Sequence, residues 1–403
     1  MTQIVLFENI HPSAKAIFKA AGYTKIANHS SALPPDELQL ALKGANVVGI
    51  RSRSQFDMKI FENATELCVL GCFCIGTNQV NLESAMLHGI PVFNAPFANT
   101  RSVAELTLGE AILLLRRIPE KNYQIRNGYW DKSAIGSFEI RGKTLGIIGY
   151  GNIGSQISTL SEGLGMRVIY YDIEDKLPLG NAKSTNSLID LLKQSDVITL
   201  HIPGGKENNN LINKESLSYM KKGSIIINAS RGEVIDMDAL YESLKSGHIS
   251  GAALDVFPCE PKNPGESLNS PLIEFQNVIL TPHIAGSTQE SQENIGHEVA
   301  EKLVRFIKTG STKGAVNFPE IPYIKPSGKT RILHMHYNTP GALGMLTNLL
   351  AKNGLNIISQ NLQTKGQLGY VITDVDSIVS NEVLTILRKL PMTIRCVTIN
   401  HCS

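Results

Sequence analysis

The sequence predicts an α/β protein in which a doubly wound parallel sheet is inserted in a second α/β unit and followed by a small antiparallel domain. Three observations predict it. Short apolar runs alternate with helical stretches over the first 310 or so residues, a glycine turn joins one of those runs to a helix, and the last 75 residues spell β-α-β-β-α-β. At 403 residues the chain exceeds one compact core and suggests two or three domains.

The first unit is read from apolar strands at 4–7, 47–50, 68–72 and 92–93, with helical stretches at 35–42 and 82–88. A long helix follows over 102–117. The second unit starts after Lys143 with Leu145-Gly-Ile-Ile-Gly149-Tyr-Gly151-Asn-Ile-Gly154, a buried strand, a glycine turn and a helix start. Gly149 permits the tight turn, Gly151 lets backbone approach a pyrophosphate, and Gly154 lets the helix pack close while its N-terminal amides face phosphates. The next strand, Met166-Arg-Val-Ile-Tyr-Tyr-Asp172, delivers a carboxylate to the adenosine ribose. Asp172 repels a 2'-phosphate and no arginine follows it, so the expected cofactor is NAD rather than NADP. Further strands at 197–201, 224–228, 252–256 and 278–281 suit a doubly wound sheet, whose ligands gather at the carboxyl ends of its strands. A polar helix at 288–308 comes too late for that sheet and is expected to return to the first unit. The segment 317–328, with three prolines, reads as a stiff linker. The expected divisions are 1–98, 99–286, 287–320, a linker at 321–328, and 329–403.

Charge and composition narrow the function. A net charge of +2 arises from scattered acids and bases with no long basic run, which argues against nucleic acid. No apolar stretch approaches a membrane span and the N-terminus reads as a core strand, so a soluble cytoplasmic protein is expected. Six cysteines are scattered without a spacing framework, and Cys68, Cys72 and Cys74 fall in an apolar run. They read as reduced core thiols rather than a metal site.

A nicotinamide enzyme acting on a hydroxy acid needs a cation for the substrate carboxylate, an acid/base for the hydroxyl proton, and a carboxylate to orient that acid/base. Each has a candidate at a strand exit: Arg231 in Ile227-Asn-Ala-Ser-Arg231-Gly, Glu260 in Asp255-Val-Phe-Pro-Cys-Glu260-Pro, and His283 in Leu280-Thr-Pro-His283-Ile-Ala-Gly286. In the first unit Arg51-Ser52-Arg53 gathers two cations and a hydroxyl at a strand end, which suits a second anion remote from the reacting carbon.

These motifs, in this order, resemble the D-2-hydroxyacid dehydrogenase family over most of residues 1–320. The resemblance implies a Rossmann NAD domain inserted in a flavodoxin-like substrate domain. It implies Arg231 as substrate clamp, Glu260 as partner of the imidazole, and His283 as proton acceptor in oxidation. Asn152, Ile153 and Asp255 join Gly149, Gly151, Gly154 and Asp172 at the cofactor. Cys72-Phe-Cys-Ile-Gly-Thr-Asn-Gln-Val80 and Pro96-Phe-Ala-Asn99-Thr-Arg-Ser-Val-Ala-Glu105 look like the 3-phosphoglycerate dehydrogenase branch, with Asn99 at the substrate and Arg51, Ser52 and Arg53 toward a phosphate. Residues 329–403 resemble a ferredoxin-like ACT regulatory domain. The serine-binding pattern falls on His336, Asn338 and Asn356, with Thr339 where a basic residue often stands and Ser327-Gly328 in place of paired glycines.

The resemblance implies oxidation of 3-phosphoglycerate, inhibition by L-serine, a homotetramer, and side reduction of 2-oxoglutarate. The rivals are a glyoxylate or hydroxypyruvate reductase, which would not need Arg51 and Arg53, and an NAD(H)-sensing binding protein of the same fold. Trp130, the only tryptophan, is read either as an anchor between subunits or as a core residue.

Overall fold

The computed structural model describes residues 2–261 and 265–400. The chain divides into two compact units, one made of Met1–Ala98 with Gln292–Ser403 and the other of Asn99–Ser291.

In the first unit five parallel strands, β1 (Ile4–Leu6), β2 (Ile26–Asn28), β3 (Val47–Ile50), β4 (Val69–Cys72) and β5 (Val92–Phe93), lie in the order β2-β1-β3-β4-β5. This is the flavodoxin-like order. β1, β3, β4 and β5 are buried throughout because both faces are covered, whereas the edge strand β2 exposes Ala27 and Asn28. Ile4, Leu6, Val47 and Val69 enter one core, whereas Val5, Phe7, Val48, Ile50, Leu70 and Cys72 enter the other. The helix Gln289–Thr309 supplies Ile295, Val299, Leu303 and Phe306 to the first of these. Of the three cysteines in the apolar run only Cys72 is buried; Cys68 and Cys74 are half-exposed because strand β4 is shorter than the run.

In the second unit the strands are β6 (Thr144–Ile148), β7 (Arg167–Tyr171), β8 (Lys183–Ser184), β9 (Val197–Leu200), β10 (Ser224–Asn228), β11 (Ile249–Leu254) and β12 (Val278–Leu280). They pair in parallel as β12-β11-β10-β9-β6-β7-β8, the doubly wound nucleotide-binding order with its switch point between β6 and β9. Alternation again splits the strands other than the exposed β8 between two cores, with Ile148, Ile198 and Ile226 on one face and Leu145, Ile147 and Val197 on the other. The long helix runs Thr100–Leu115 and stops before the sequence pattern does, since Arg117 adopts the left-handed conformation and a second helix, Ile118–Arg126, starts there. Trp130 is 73% exposed, which removes the core reading.

The last four strands, β13 (Thr330–Tyr337), β14 (Ile357–Lys365), β15 (Leu368–Val375) and β16 (Thr393–Asn400), form an antiparallel sheet ordered β14-β15-β13-β16. Two helices, Ala342–Lys352 and Asn381–Arg388, cover one face through Leu346, Leu350 and Leu387. The other face carries Leu333, Met335, Leu368, Tyr370 and Ile372 into the same core as Phe306, Phe318 and Ile321. The proline-rich stretch is therefore no free tether: Phe318 and Ile321 are buried, and the Asn317 side chain accepts from Val92 N and donates to Ile90 O.

Candidate active site

The glycine turn after β6 has the steric signature its three glycines predict. Gly149 takes φ +92, and a Cβ there would meet the His201 carbonyl; a Cβ at Gly154 would meet the Gly149 carbonyl. Around Gly151 the space is open, and this residue caps the helix Asn152–Gly163 with no side-chain hydrogen bond. The first-turn amides at Asn152 and Ile153 are thus open to an anion at the positive end of the helix. Asp172 follows β7, where Oδ2 accepts from Tyr150 N at 2.7 Å and Oδ1 from Glu174 N at 3.0 Å, fixing its carboxylate beside the turn. An open glycine cradle with an oriented acid at the next strand end fits a dinucleotide.

His283 follows β12 and adopts φ +55, a conformation that costs a non-glycine residue energy unless its surroundings hold it. Asp255, at the exit of β11 and 1% exposed, is what holds it. Its Oδ1 accepts from Thr281 Oγ1 at 2.6 Å and Ile284 N at 2.7 Å, and its Oδ2 from Ala285 N at 2.8 Å. Those bonds bracket His283 on both sides. The ring's Nδ1 lies 3.1 and 2.9 Å from the two oxygens of Glu260, and no described residue bonds Nε2. The carboxylate selects the Nδ1–H tautomer and leaves Nε2 free to take a proton.

The hydrogen bond that His283 donates to Glu260 raises the His283 pKa above its ordinary 6.5, against the effect of burial and of the nearby Arg231 charge. Burial works to raise Glu260, yet the hydrogen bond and charge of His283 hold its pKa below the ordinary value. Arg231 leaves β10 and its Nη1 donates to Ser230 O at 2.7 Å; Asn228 braces this exit by accepting from Ser230 N and donating to Arg231 O. The next residue, Gly232, has no room for a side chain, because a Cβ would overlap the backbone of Phe257 and Pro258. Arg231 and the Glu260 loop are thereby locked together by main-chain contact. Asn99 sits in the same unit with its amide against Gly286, and its Oδ1 is buried without a partner.

The pattern of the D-isomer specific 2-hydroxyacid dehydrogenase NAD binding domain matches residues 108–285, and that of the AHAS small subunit-like ACT domain matches residues 332–395. The D-3-phosphoglycerate dehydrogenase of Haemophilus influenzae is 52% identical over 393 residues, covering 98% of this chain and 96% of that one. The chain belongs to the D-3-phosphoglycerate dehydrogenase family. A further member, from Dictyostelium discoideum, is 46% identical over 393 residues, with the same coverage of 98% and 96%. Among solved structures, a D-lactate dehydrogenase from Aquifex aeolicus complexed with NAD and lactic acid matches with TM-score 0.67 and 28% identity over 79% of this chain and all of that one. D-2-hydroxyisocaproate dehydrogenase matches with TM-score 0.71 and 28% identity over 78% of this chain. The family makes this chain an NAD-dependent oxidoreductase with an ACT regulatory domain.

The other residues expected of the family lie in the first unit. Arg51, Ser52 and Arg53 form the exit of β3, with Arg51 half-buried and the other two exposed. Among the described residues neither arginine makes an ion pair. His336, at the end of β13, is 3% exposed with Nδ1 unpartnered, and stacks on His334 at 5.2 Å. Burial holds the pKa of His336 below the ordinary value and lowers that of His334 to about 4. Asn338 follows His336, and its Nδ2 donates to Gly366 O at 3.2 Å. Asn356, however, precedes β14 at the other end of the sheet. Ile357 pairs with Val375 opposite Thr330, whereas His336 pairs with Gly369. Six residues of β13 separate those ends, roughly 20 Å. One chain does not gather the three.

Sequence reasoning missed Glu110, buried in the helix Thr100–Leu115, whose pKa burial and the Asp255 charge push up to about 8. An acid amid an apolar helix face was the available signal. Glu8, at the exit of β1, was missed although it has the same strand-end position that singled out Asp172.

Proposed function

We propose that this chain oxidises 3-phospho-D-glycerate to 3-phosphooxypyruvate with NAD, the first step of the phosphorylated route to L-serine, and that L-serine inhibits it through the ACT domain. The observation that carries the reading is the paired Glu260–His283 hydrogen bond, held by Asp255 beside Arg231, in a chain half identical to D-3-phosphoglycerate dehydrogenases. Arg231 clamps the substrate carboxylate, and Nε2 of His283 takes the hydroxyl proton while Glu260 stabilises the resulting imidazolium. Bound NAD supplies the hydride acceptor. Asn99 is assigned to the substrate, and Arg51, Ser52 and Arg53 to its phosphate. A distal carboxylate can stand in for that phosphate, which assigns 2-oxoglutarate reduction as a side activity.

In this reading residues 99–286 carry the cofactor, 1–98 with 287–320 the substrate's distal end, and 329–403 the control. A homotetramer is supported by two features. The stretch 118–138 exposes Ile118, Tyr123, Ile125, Tyr129, Trp130, Ile135 and Phe138, an apolar surface suited to a second copy. The ACT register separates Asn356 from His336 and Asn338, so a serine site using all three takes residues from two chains.

The test is the initial rate of NADH formation from 3-phosphoglycerate and NAD at mildly alkaline pH, with hydrazine trapping the product, across an L-serine titration. Turnover that serine abolishes is expected. Turnover insensitive to serine removes the control, and NADH binding without turnover removes 3-phosphoglycerate as the substrate in favour of another hydroxy acid or a sensor.

A further inference from the structure

The Glu8 carboxylate is folded into the loop that follows β3. Oε1 accepts from Arg51 N at 3.1 Å and Ser54 N at 2.9 Å, and Oε2 accepts from Arg53 N at 2.9 Å. Three amides of a four-residue segment thus converge on one side chain that is 7% exposed. Glu8 holds this position at φ +63, followed by Asn9 at φ +51. Two consecutive non-glycine residues in the left-handed region store strain that a glycine would avoid, so the side chain is what the position requires. The far side of the loop is tied as well, since Gln79, 8% exposed, donates through Nε2 to Arg51 O at 2.6 Å and to Gly76 O at 3.3 Å.

We propose that Glu8 is a positioning residue for recognition of the substrate's distal phosphate: it presets the backbone of Arg51–Ser54 so that the Arg51 and Arg53 guanidinium groups meet the anion without the loop having to order on binding. This inference rests on the proposed assignment of that loop to the phosphate. Charge-assisted bonds from amide to carboxylate are the stronger kind, and three of them remove the freedom that a loop would otherwise lose on binding. Because these bonds take up three of the four loop amides, too few are left for a backbone nest, and an incoming phosphate is held chiefly by side chains. Both guanidinium groups remain without an ion pair among the described residues, since the Glu8 oxygens face the main chain.

The test is steady-state reduction with NADH of two substrates that differ only in the distal phosphate, 3-phosphooxypyruvate and hydroxypyruvate. Glu8→Gln replaces one acceptor oxygen with a donor that faces an amide. It is expected to raise KM for 3-phosphooxypyruvate by about tenfold, the loss of one charged hydrogen bond, with kcat within about twofold and hydroxypyruvate kinetics unchanged. Arg53→Ala, run alongside, reports on the loop assignment itself. If Arg53→Ala raises that KM and Glu8→Gln does not, the role of Glu8 is overturned; if neither does, the phosphate assignment has failed. Equal losses on both substrates would mean a merely structural role and also overturn it. Amide exchange on the wild-type enzyme serves should the variant not fold: Arg51, Arg53 and Ser54 amides are expected to be protected without substrate, and rapid exchange at all three would refute the proposal.

Discussion

Both oxygens of Glu260 lie within hydrogen-bonding distance of His283 Nδ1, at 3.1 and 2.9 Å, and the charge sharing that results moves the two pKa values apart. In the proposed role His283 must be neutral to accept the hydroxyl proton, so kcat/KM for oxidation is expected to fall as pH drops through its raised pKa. Glu260→Gln removes the main cause of the elevation and should carry that acid limb to lower pH, while His283→Asn should cost about 10²–10⁴ in kcat. In stability the sign is separate. The imidazolium's contribution is complete below its unfolded pKa of 6.5 and disappears as pH rises through the higher folded value. An acid limb unmoved in Glu260→Gln would refute the pairing.

Glu110 changes stability with pH in the same direction, for a different reason. Burial and the Asp255 charge push its pKa from 4.5 up to about 8, so the folded chain keeps a proton that the unfolded chain releases. Its contribution therefore weakens stability progressively as pH climbs from 4.5 to about 8, by an order of 3 kcal/mol at pH 7. Glu110→Gln, neutral and of the same shape, should unfold at a higher urea midpoint than wild type, with a margin that widens from pH 5 to pH 8. A margin independent of pH would show that Glu110 is ionised in the fold.

Arg331 and Asp374 are both fully buried, joined by two bonds of 2.7 Å, and Arg331 Nη1 also donates to Thr309 O and Ile324 O. Burial works to raise the Asp374 pKa, but the Arg331 hydrogen bond holds it below the ordinary value. Arg331→Met should cost about 3–5 kcal/mol in urea unfolding, because it strands a carboxylate in the interior. Arg331→Met with Asp374→Leu should recover much of that loss. A single variant as stable as wild type would contradict the buried pair.

Gly232→Ala tests the main-chain lock between Arg231 and the Glu260 loop. The added methyl overlaps Phe257 and Pro258 backbone atoms, so a penalty of about 1–3 kcal/mol is expected together with a lower kcat/KM as the loop shifts. Unchanged kinetics with Arg231 intact would mean that the lock is dispensable.

Much of the architecture was legible because parallel strands covered on both faces write themselves as apolar runs, and because Gly149, Gly151, Gly154 and Asp172 answer to local rules of φ, space and charge. The β-α-β-β-α-β order of the last domain was readable for the same reason, each element having its own period. Arg231, Glu260 and His283 could be nominated because each stands at the exit of an apolar strand. The linker reading of 317–328 shows the limit: its prolines describe stiffness, but whether Phe318 and Ile321 find a core depends on the β13–β15 face that covers them.

The sequence by itself determined which segments become strands, where the glycine turn falls, and which side chains have the charge and acid/base chemistry that the proposed reaction needs. Only the tertiary structure decided that Asp255 brackets His283, that Glu8 organises the Arg51–Ser54 loop, that Glu110 lies beside Asp255, and that Asn356 stands at the far end of the sheet from His336. The reason is physical. Propensity and periodicity act over a few residues, whereas a carboxylate meets its donors 29 or 43 positions away only after chain crossings and strand register have brought them together.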